Sequence, residues 1–235
     1  MSVQLYIHQR VTEKLPGFRL AYLIYEGAIT QETPHEKWQE FASLCEHVQE
    51  NYRLENLTDI PGIKEGRRAF KALGVDPARY RPSSEALLRR VLQNKPLGSV
   101  NTAVDGNNYV SIYFGLPFGL YDISALEGNV SCRLGDGGES YLGLNGREVS
   151  LEAKLLTADA KGPFGSPVVD SERTSVQPGA TRLLHIAYVF PGYTVPQKFL
   201  EQVSRQFAQF TAAKTVESGI KSAKSSRYKE GILIS

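Results

Sequence analysis

Two short apolar runs near the start of the chain have the composition of β-strands. The runs 3–7 and 18–25 are rich in β-branched and aromatic residues and are separated by the turn signal Pro16-Gly17. Short runs of this composition on either side of a Pro-Gly pair are typical of neighbouring strands. The pattern therefore predicts two strands that pair with each other.

Amphipathic helices are predicted next, from apolar residues that recur at intervals of three and four. Thr33 begins a capping-box sequence, which predicts a helix over 34–51. Pro61-Gly62 and Gly74 are typical of the start and the end of a second helix. Ser83 follows an extended segment that ends in proline, so we expect it to cap a third helix.

Loosely alternating segments in the second half of the chain predict a small antiparallel sheet. The alternation covers 129–133, 139–144, 147–151 and 153–157. Asn145-Gly146 lies between the second and the third of these segments, and this dipeptide favours the tight turn of a hairpin. We therefore expect the second and third segments to pair.

A long polar loop precedes the last predicted strand and helix. Residues 160–182 are rich in Gly, Pro, Ser and Thr, and a loop of this length often serves as a lid or a binding loop. A buried strand is predicted over 183–190, Thr194 is expected to cap a final helix, and the tail from Lys214 is expected to be helical or frayed. The packing stripe of the final helix consists of Phe199, Val203, Phe207 and Phe210.

The composition is that of an ordinary globular protein. The chain has 235 residues, of which 41% are hydrophobic and 22% charged, and no apolar run approaches the roughly 20 residues that a membrane span needs. Cys45 and Cys132 are isolated, so neither a disulfide framework nor a metal site is expected, and no cofactor motif is present. The N-terminus lacks the apolar region of a signal peptide, which favours a cytoplasmic location.

Positive charge is concentrated in two segments, although the net charge is only +2. Residues 53–95 contain ten Lys or Arg and five Asp or Glu, and residues 213–235 contain five and two. Such segments suit contact with phosphates, although solvated helix faces give the same statistic. The expected RNA contacts are a stripe on one face of the second helix, Lys64, Arg67, Arg68 and Lys71, followed by Arg79, Arg81 and Arg90. The last three have no evident carboxylate partner, and pairing within the domain is the alternative to phosphate binding.

The stretch 101–122 carries the candidate chemistry. Four short residues, Asp105-Gly106-Asn107-Asn108, are followed by an apolar run over 109–114 and then by glycines and a proline over 115–119. Short polar residues of this kind can turn the backbone and direct amide and carboxylate groups inward. The pattern fits a pocket wall, and it equally fits a capped helix followed by a Gly/Pro turn.

The same stretch resembles a known family. The pattern V-D-x-T-N-Y-V followed by G-x-P-x-H-x-[FY]-D is met by Val104, Asp105, Asn108, Tyr109, Val110, Gly115, Pro117, Tyr121 and Asp122. This is the pattern of the B3/B4 domain, the tRNA-editing module of the bacterial phenylalanyl-tRNA synthetase beta subunit. The match continues through Arg133 and Glu139 to Asp159, and residues 74–90 resemble free-standing members of the family.

The resemblance implies an α+β fold with antiparallel sheets and packed helices. It also implies one B3/B4-like domain over 1–235. Within that domain we expect N-terminal strands and a helix over 1–60, the motif region over 61–192, and a C-terminal helix with a basic tail over 193–235.

The site residues of the family are carried over one position at a time. The asparagine of the motif falls on Asn108 and the preceding threonine on Asn107, and both positions remain polar. The histidine falls on Gly119, which has no side chain to donate a hydrogen bond or relay a proton. The small residues that line the pocket of the family fall near Ser166. The glutamate with which the family recognises the hydroxyl of a mischarged tyrosine falls on His185, two positions before Ala187. Histidine in place of glutamate replaces a carboxylate, which only accepts hydrogen bonds, by a ring that donates or accepts them. The amino-acid specificity of the synthetase is therefore not expected to carry over to this chain.

The residues themselves contain no nucleophile signature and no phosphate-binding loop. An enzyme built from them would position a water against an ester that is already reactive. Three hypotheses follow. In the first hypothesis, the chain hydrolyses mischarged aminoacyl-tRNA in trans, with Asn107 and Asn108 in catalytic positions. Alternatively it binds tRNA or another RNA without chemistry, as the glycine at 119 favours, or it binds a small molecule such as an amino acid.

Overall fold

The computed structural model describes residues 4–222. In chain order the elements are β1 (Leu5–Ile7), α1 (Gln9–Lys14), β2 (Arg19–Glu26), α2 (His35–Asn51), α3 (Ile63–Ala72), α4 (Ser83–Leu92), α5 (Thr102–Phe114), β3 (Phe118–Asp122), β4 (Val130–Leu134), β5 (Ser140–Leu142), β6 (Glu148–Ser150), β7 (Leu155–Asp159), β8 (Gly162–Gly165), β9 (Leu183–Val189), α6 (Phe199–Thr211) and β10 (Lys214–Ser222). No helix within this part of the chain is both long and apolar enough to cross a membrane.

The strands form two four-stranded sheets and one hairpin. One sheet has the order β10-β2-β9-β3 and is antiparallel throughout. The other has the order β1-β4-β7-β8, in which β1 and β4 are parallel and the remaining pairs antiparallel. Helices α5 and α6 pack beside the first sheet, so the predicted α+β class with antiparallel sheets and packed helices is confirmed.

The predicted pairing of the first two strands is wrong. Helix α1 lies between β1 and β2 in the chain, and the two strands belong to different sheets. β1 pairs with β4, and the much longer β2 is enclosed by β9 and β10. The predicted hairpin at Asn145-Gly146 is confirmed, because β5 and β6 pair across that turn.

Two segments that were not predicted to be strands contain strands. β8 lies inside the predicted loop 160–182 and pairs with β7. β10 covers the start of the tail that was predicted to be helical or frayed, and the backbone of β2 supplies its hydrogen-bond partners. Lys221 is in β10, while the other tail cations at 224, 227 and 229 lie outside the described residues.

Helix α5 contains the four short polar residues, which therefore do not form a turn. The side chain of Asn101 accepts hydrogen bonds from the N–H groups of Ala103 and Val104, and Gly115 ends the helix with a left-handed φ of 64°. The capped-helix interpretation of this stretch is thus confirmed. Gly106 allows α6 to approach closely, since a Cβ atom at this position would lie 3.0 Å from the Cβ of Phe210.

Asp105 has a structural role within this arrangement. Its carboxylate accepts hydrogen bonds from the Thr33 hydroxyl at 2.6 Å, the Ser99 hydroxyl at 2.5 Å and the Val100 N–H at 3.0 Å. Thr33 therefore does not cap α2, whose N-terminus has no side-chain cap. Neither do Ser83 and Thr194 cap their helices, because α4 is preceded by Pro82 and α6 begins only after Lys198.

Candidate functional site

One face of α5 forms a wall of a cavity of about 450 Å³. Five side chains of this helix and its cap lie on one side of the helix and reach the cavity, and they are Asn101, Val104, Asn107, Asn108 and Ser111. The other walls come from α4, β3 and the loop segments 166–170 and 175–178. The polar groups from these walls are Ser83, Ser166, Asp170, Ser175 and Gln177. A volume of this size suits a small ligand or the end of a larger one.

A second space of about 450 Å³ lies on the opposite side of α5, between α2 and the segment before α6. The titratable side chains that line this second space are His47 and three tyrosines. None of the predicted catalytic or substrate-binding residues lines it. The α5 face with the two asparagines is therefore the better candidate site.

Asn107 is held in place from behind by a buried histidine. The Nε2 atom of His185 lies 3.0 Å from the Oδ1 of Asn107, and the Nδ1 lies 3.4 Å from the Tyr25 hydroxyl. Burial lowers the pKa of His185 to about 3, so the ring is neutral at physiological pH. Because an amide oxygen only accepts, the proton is on Nε2, and Nδ1 accepts from Tyr25. Asn107 also donates to the Phe118 carbonyl at 3.4 Å.

Asn108 differs from its neighbour because its amide is free. It is half-buried on the cavity wall, and its side chain has no hydrogen bond to any other residue within 4–222. A free amide beside a fixed one gives the cavity both a donor and an acceptor for a bound ligand. Both amides line the same cavity.

The structure adds Asp170, a carboxylate that sequence reasoning missed. Its Oδ1 accepts hydrogen bonds from the Tyr121 hydroxyl at 2.8 Å and from the Ser166 N–H at 3.2 Å. Desolvation raises the pKa of Asp170 to about 7, although these hydrogen bonds oppose the shift. The feature of the sequence that could have pointed to Asp170 was its position in the long polar loop 160–182, which was expected to bind or cover a ligand.

Gly119 and Ala187 do not line the cavity, which corrects their assignment as substrate-binding positions. Side chains on a strand alternate between its two faces. On β3, Phe118 and Leu120 face the cavity, so Gly119 faces the other way, towards Tyr121. Ala187 is fully buried opposite Phe118 in the sheet. Of the four positions that were predicted to contact the substrate, Ser166 lines the cavity, and His185 lies behind Asn107 without lining it.

The predicted positive stripe on α3 is interrupted at Arg67. Its guanidinium binds both oxygens of Glu85, at 2.8 and 3.0 Å, and Glu85 is fully buried. Arg67 is therefore a structural residue, and the expectation that it projects with the other cations is wrong. Lys64, Arg68 and Lys71 are exposed.

The arginines after α3 are exposed but not all unpartnered. Arg81 lies 3.9 Å from Glu85, which contradicts the expectation that it lacks a carboxylate partner. The expected pair of Glu85 and Arg89 is present at 3.3 Å. Arg79 lies over the ring of Tyr80, and Arg90 donates to the Pro96 carbonyl. Helical spacing in the sequence predicts ion pairs within one helix, such as Glu85 with Arg89. The pair of Arg67 and Glu85 joins two helices, α3 and α4, and spacing does not predict it.

Neither cysteine has the environment of a nucleophile. Burial raises the pKa of Cys45 to about 11 and raises that of the fully buried Cys132 further, so both remain thiols. Within the described part of the chain, no group of three or more His, Cys, Asp or Glu residues is placed to hold a metal ion.

Comparison with known proteins links the chain to one family. Residues 65–229 match the family model described as the B3/4 domain. Curated relatives are phenylalanine–tRNA ligase beta subunits. The subunit from Streptomyces avermitilis is 36% identical over 93 residues, covering 39% of this chain and 11% of the relative. That from Chromobacterium violaceum is 28% identical over 161 residues, covering 68% of this chain and 18% of the relative. The chain thus spans less than a fifth of these relatives.

A solved structure is also similar. It is an N-terminal fragment of the phenylalanyl-tRNA synthetase beta subunit from Pyrococcus horikoshii, with a TM-score of 0.47 and 13% sequence identity. The similarity covers 94% of this chain and 51% of the fragment.

Proposed function

The chain belongs to the B3/4 domain family, and we propose that it hydrolyses the ester of mischarged aminoacyl-tRNA in trans. The observation that carries the proposal is the pair Asn107 and Asn108 on the wall of one cavity. These residues stand where the family motif has its threonine and its asparagine. We also propose that 1–235 forms a single domain of this type, and that it acts in the cytoplasm on tRNA without a metal or cofactor.

In the proposed reaction the cavity takes the aminoacyl end of tRNA. Asn108 donates from its free amide to the ester carbonyl oxygen, on which negative charge develops as water attacks. Asn107, fixed by His185 and the Phe118 carbonyl, orients that water. The ester C–O bond then breaks, and the terminal ribose hydroxyl of tRNA leaves with a proton. The ester is intrinsically reactive, so positioning supplies the catalysis.

We expect Asn108→Ala to lower kcat/KM for deacylation about 100-fold, since removal of one oxyanion donor has an effect of this order. The measurement is release of labelled amino acid from a panel of mischarged tRNAs. Asn51→Ala is the matched control, because Asn51 is exposed at the end of α2 and bonds only to His47. If the wild-type protein deacylates no member of the panel, the hydrolase proposal fails.

A second candidate function, binding of tRNA without chemistry, is favoured by the exposed cations. Lys64, Arg68 and Lys71 lie on one face of α3, and α3 is joined to α4 by the pair of Arg67 and Glu85. α4 in turn contributes Ser83 and Leu87 to the cavity. A phosphate backbone held along α3 would therefore be connected through one rigid unit to the cavity wall.

We expect the triple variant Lys64→Gln, Arg68→Gln, Lys71→Gln to bind tRNA more weakly and with a reduced salt dependence. Each lost phosphate contact lowers the slope of log affinity against log salt by roughly 0.7 to 0.9. The melting temperature should hardly change, because exposed charges contribute only about 0 to 1 kcal/mol each. Three exposed lysines outside the stripe, changed as Lys14→Gln, Lys161→Gln and Lys198→Gln, provide the control. If the two triple variants show equal slopes of log affinity against log salt, the positive face of α3 is not the surface that binds tRNA.

A further inference from the structure

The charge of the cavity is unusual for a site that is expected to serve an RNA. Asp170 is its only titratable side chain within the described residues, and the remaining polar lining consists of serine hydroxyls and amides. No Lys, Arg or His lines the walls. The cavity therefore presents one carboxylate and no cation to whatever enters it.

Asp170 is fixed in position but not compensated in charge. Its hydrogen bonds come from neutral donors, the Tyr121 hydroxyl and the Ser166 N–H among them. The Tyr121 ring packs edge-on against Phe164, with ring centres 4.7 Å apart, which holds the hydroxyl. Across residues 4–222, no ion pair within 4.0 Å includes Asp170. A half-buried carboxylate without a cation is costly, and a bound cation would remove that cost.

We propose that Asp170 binds the ammonium group of the ligand, so that the cavity selects amino acids whose carboxyl group is esterified. A free amino acid carries a carboxylate as well as an ammonium, and no cation in the cavity would receive the carboxylate. An aminoacyl ester carries only the positive charge. The inference rests on the proposed function, because it takes the cavity as the site of the aminoacyl end, and it adds the group that is recognised there.

The experiment uses pairs of small ligands that differ only in this group. The amines are phenethylamine, tyramine and isopentylamine, and the matched alcohols are 2-phenylethanol, tyrosol and isopentyl alcohol. Affinities for the wild-type chain are measured by ligand-observed NMR, which reaches millimolar dissociation constants. We expect at least one amine to bind about tenfold more tightly than its alcohol, since hydrogen bonds to charged groups are the stronger ones.

Asp170→Asn should abolish the preference for the amine without unfolding the chain, because the asparagine oxygen can accept the same bonds from Tyr121 and Ser166. Asp136→Asn, at an exposed aspartate, is the control. If the amine and the alcohol bind equally to the wild type, if no amine binds at millimolar concentration, or if Asp170→Asn keeps the preference, the inference is wrong.

The pH dependence gives a second measurement on the wild-type chain. Tyr121, Tyr141 and Tyr188 face Asp170 from β3, β5 and β9, and burial raises the pKa of each hydroxyl, so these groups stay neutral. Below pH 7 Asp170 takes up a proton and loses its charge. Amine affinity should therefore fall towards that of the matched alcohol, by up to about tenfold, from pH 8 to pH 5.5, while alcohol affinity stays constant.

Deacylation separates this inference from the function on which it rests. Amine preference without deacylation of any tRNA would support the role of Asp170 and reject the hydrolase. Deacylation that is unaffected by Asp170→Asn, together with equal binding of amines and alcohols, would reject the role of Asp170 and keep the hydrolase.

Discussion

Gly119→His is expected to destabilise the chain strongly, although the family has a histidine at this position of its motif. A Cβ atom on Gly119 would overlap the Tyr121 hydroxyl and would lie 2.5 Å from the carbon that bears it. Tyr121 is fully buried, so it cannot move aside. Overpacking of this kind typically costs 1–3 kcal/mol, and loss of the Tyr121 hydrogen bond to Asp170 adds about 1–3 kcal/mol.

The sum, about 2–6 kcal/mol, is a large fraction of the stability of an ordinary domain, which is roughly 5–15 kcal/mol. The measurement is urea unfolding followed by circular dichroism, with Gly119→Ala as the milder variant. Gly137→His is the control, because Gly137 is exposed and a Cβ atom there meets nothing within 4 Å. A stable Gly119→His protein with increased deacylation would show that the histidine fits and that Gly119 belongs to the site after all.

Arg67→Met is expected to lower the free energy of unfolding by about 3 kcal/mol. The change leaves the buried Glu85 carboxylate with only Arg89 at 3.3 Å and Arg81 at 3.9 Å. Removing one partner from a buried ion pair typically costs 3–5 kcal/mol, and the two remaining arginines place the expected value at the lower end. The neighbouring variant Arg68→Met removes an exposed charge and should change the stability by less than about 1 kcal/mol.

A double-mutant cycle identifies the cause of the loss. With Glu85→Gln in the background, Arg67→Met should cost much less, because no buried charge is then left unpaired. Both steps are measured by urea unfolding at pH 7. If Arg67→Met and Arg68→Met are equally stable, Arg67 is not structural and returns to the set of candidate phosphate contacts.

Local patterns in the sequence predicted much of the secondary structure correctly. The helix over 34–51, the helix before Gly74 and the hairpin at Asn145-Gly146 all appear near their predicted places. These features depend on the periodicity of apolar residues and on turn chemistry, which act over a few neighbouring positions. Sequence reasoning failed where partners are distant in the chain, as in the parallel pairing of β1 with β4.

For the candidate site, too, the sequence indicated the local features and left contacts between distant residues undetermined. From the sequence by itself, the short polar cluster and the family motif pointed to Asn107 and Asn108, and the pattern fitted either a pocket wall or a capped helix. Only the tertiary structure decided that Gly119 faces away from the cavity, that Glu85 engages Arg67, and that Asp170 joins Asn108 on the cavity wall. Each of these depends on which elements approach one another in space. Burial and charge pairing act through space, so spacing along the chain leaves them undetermined.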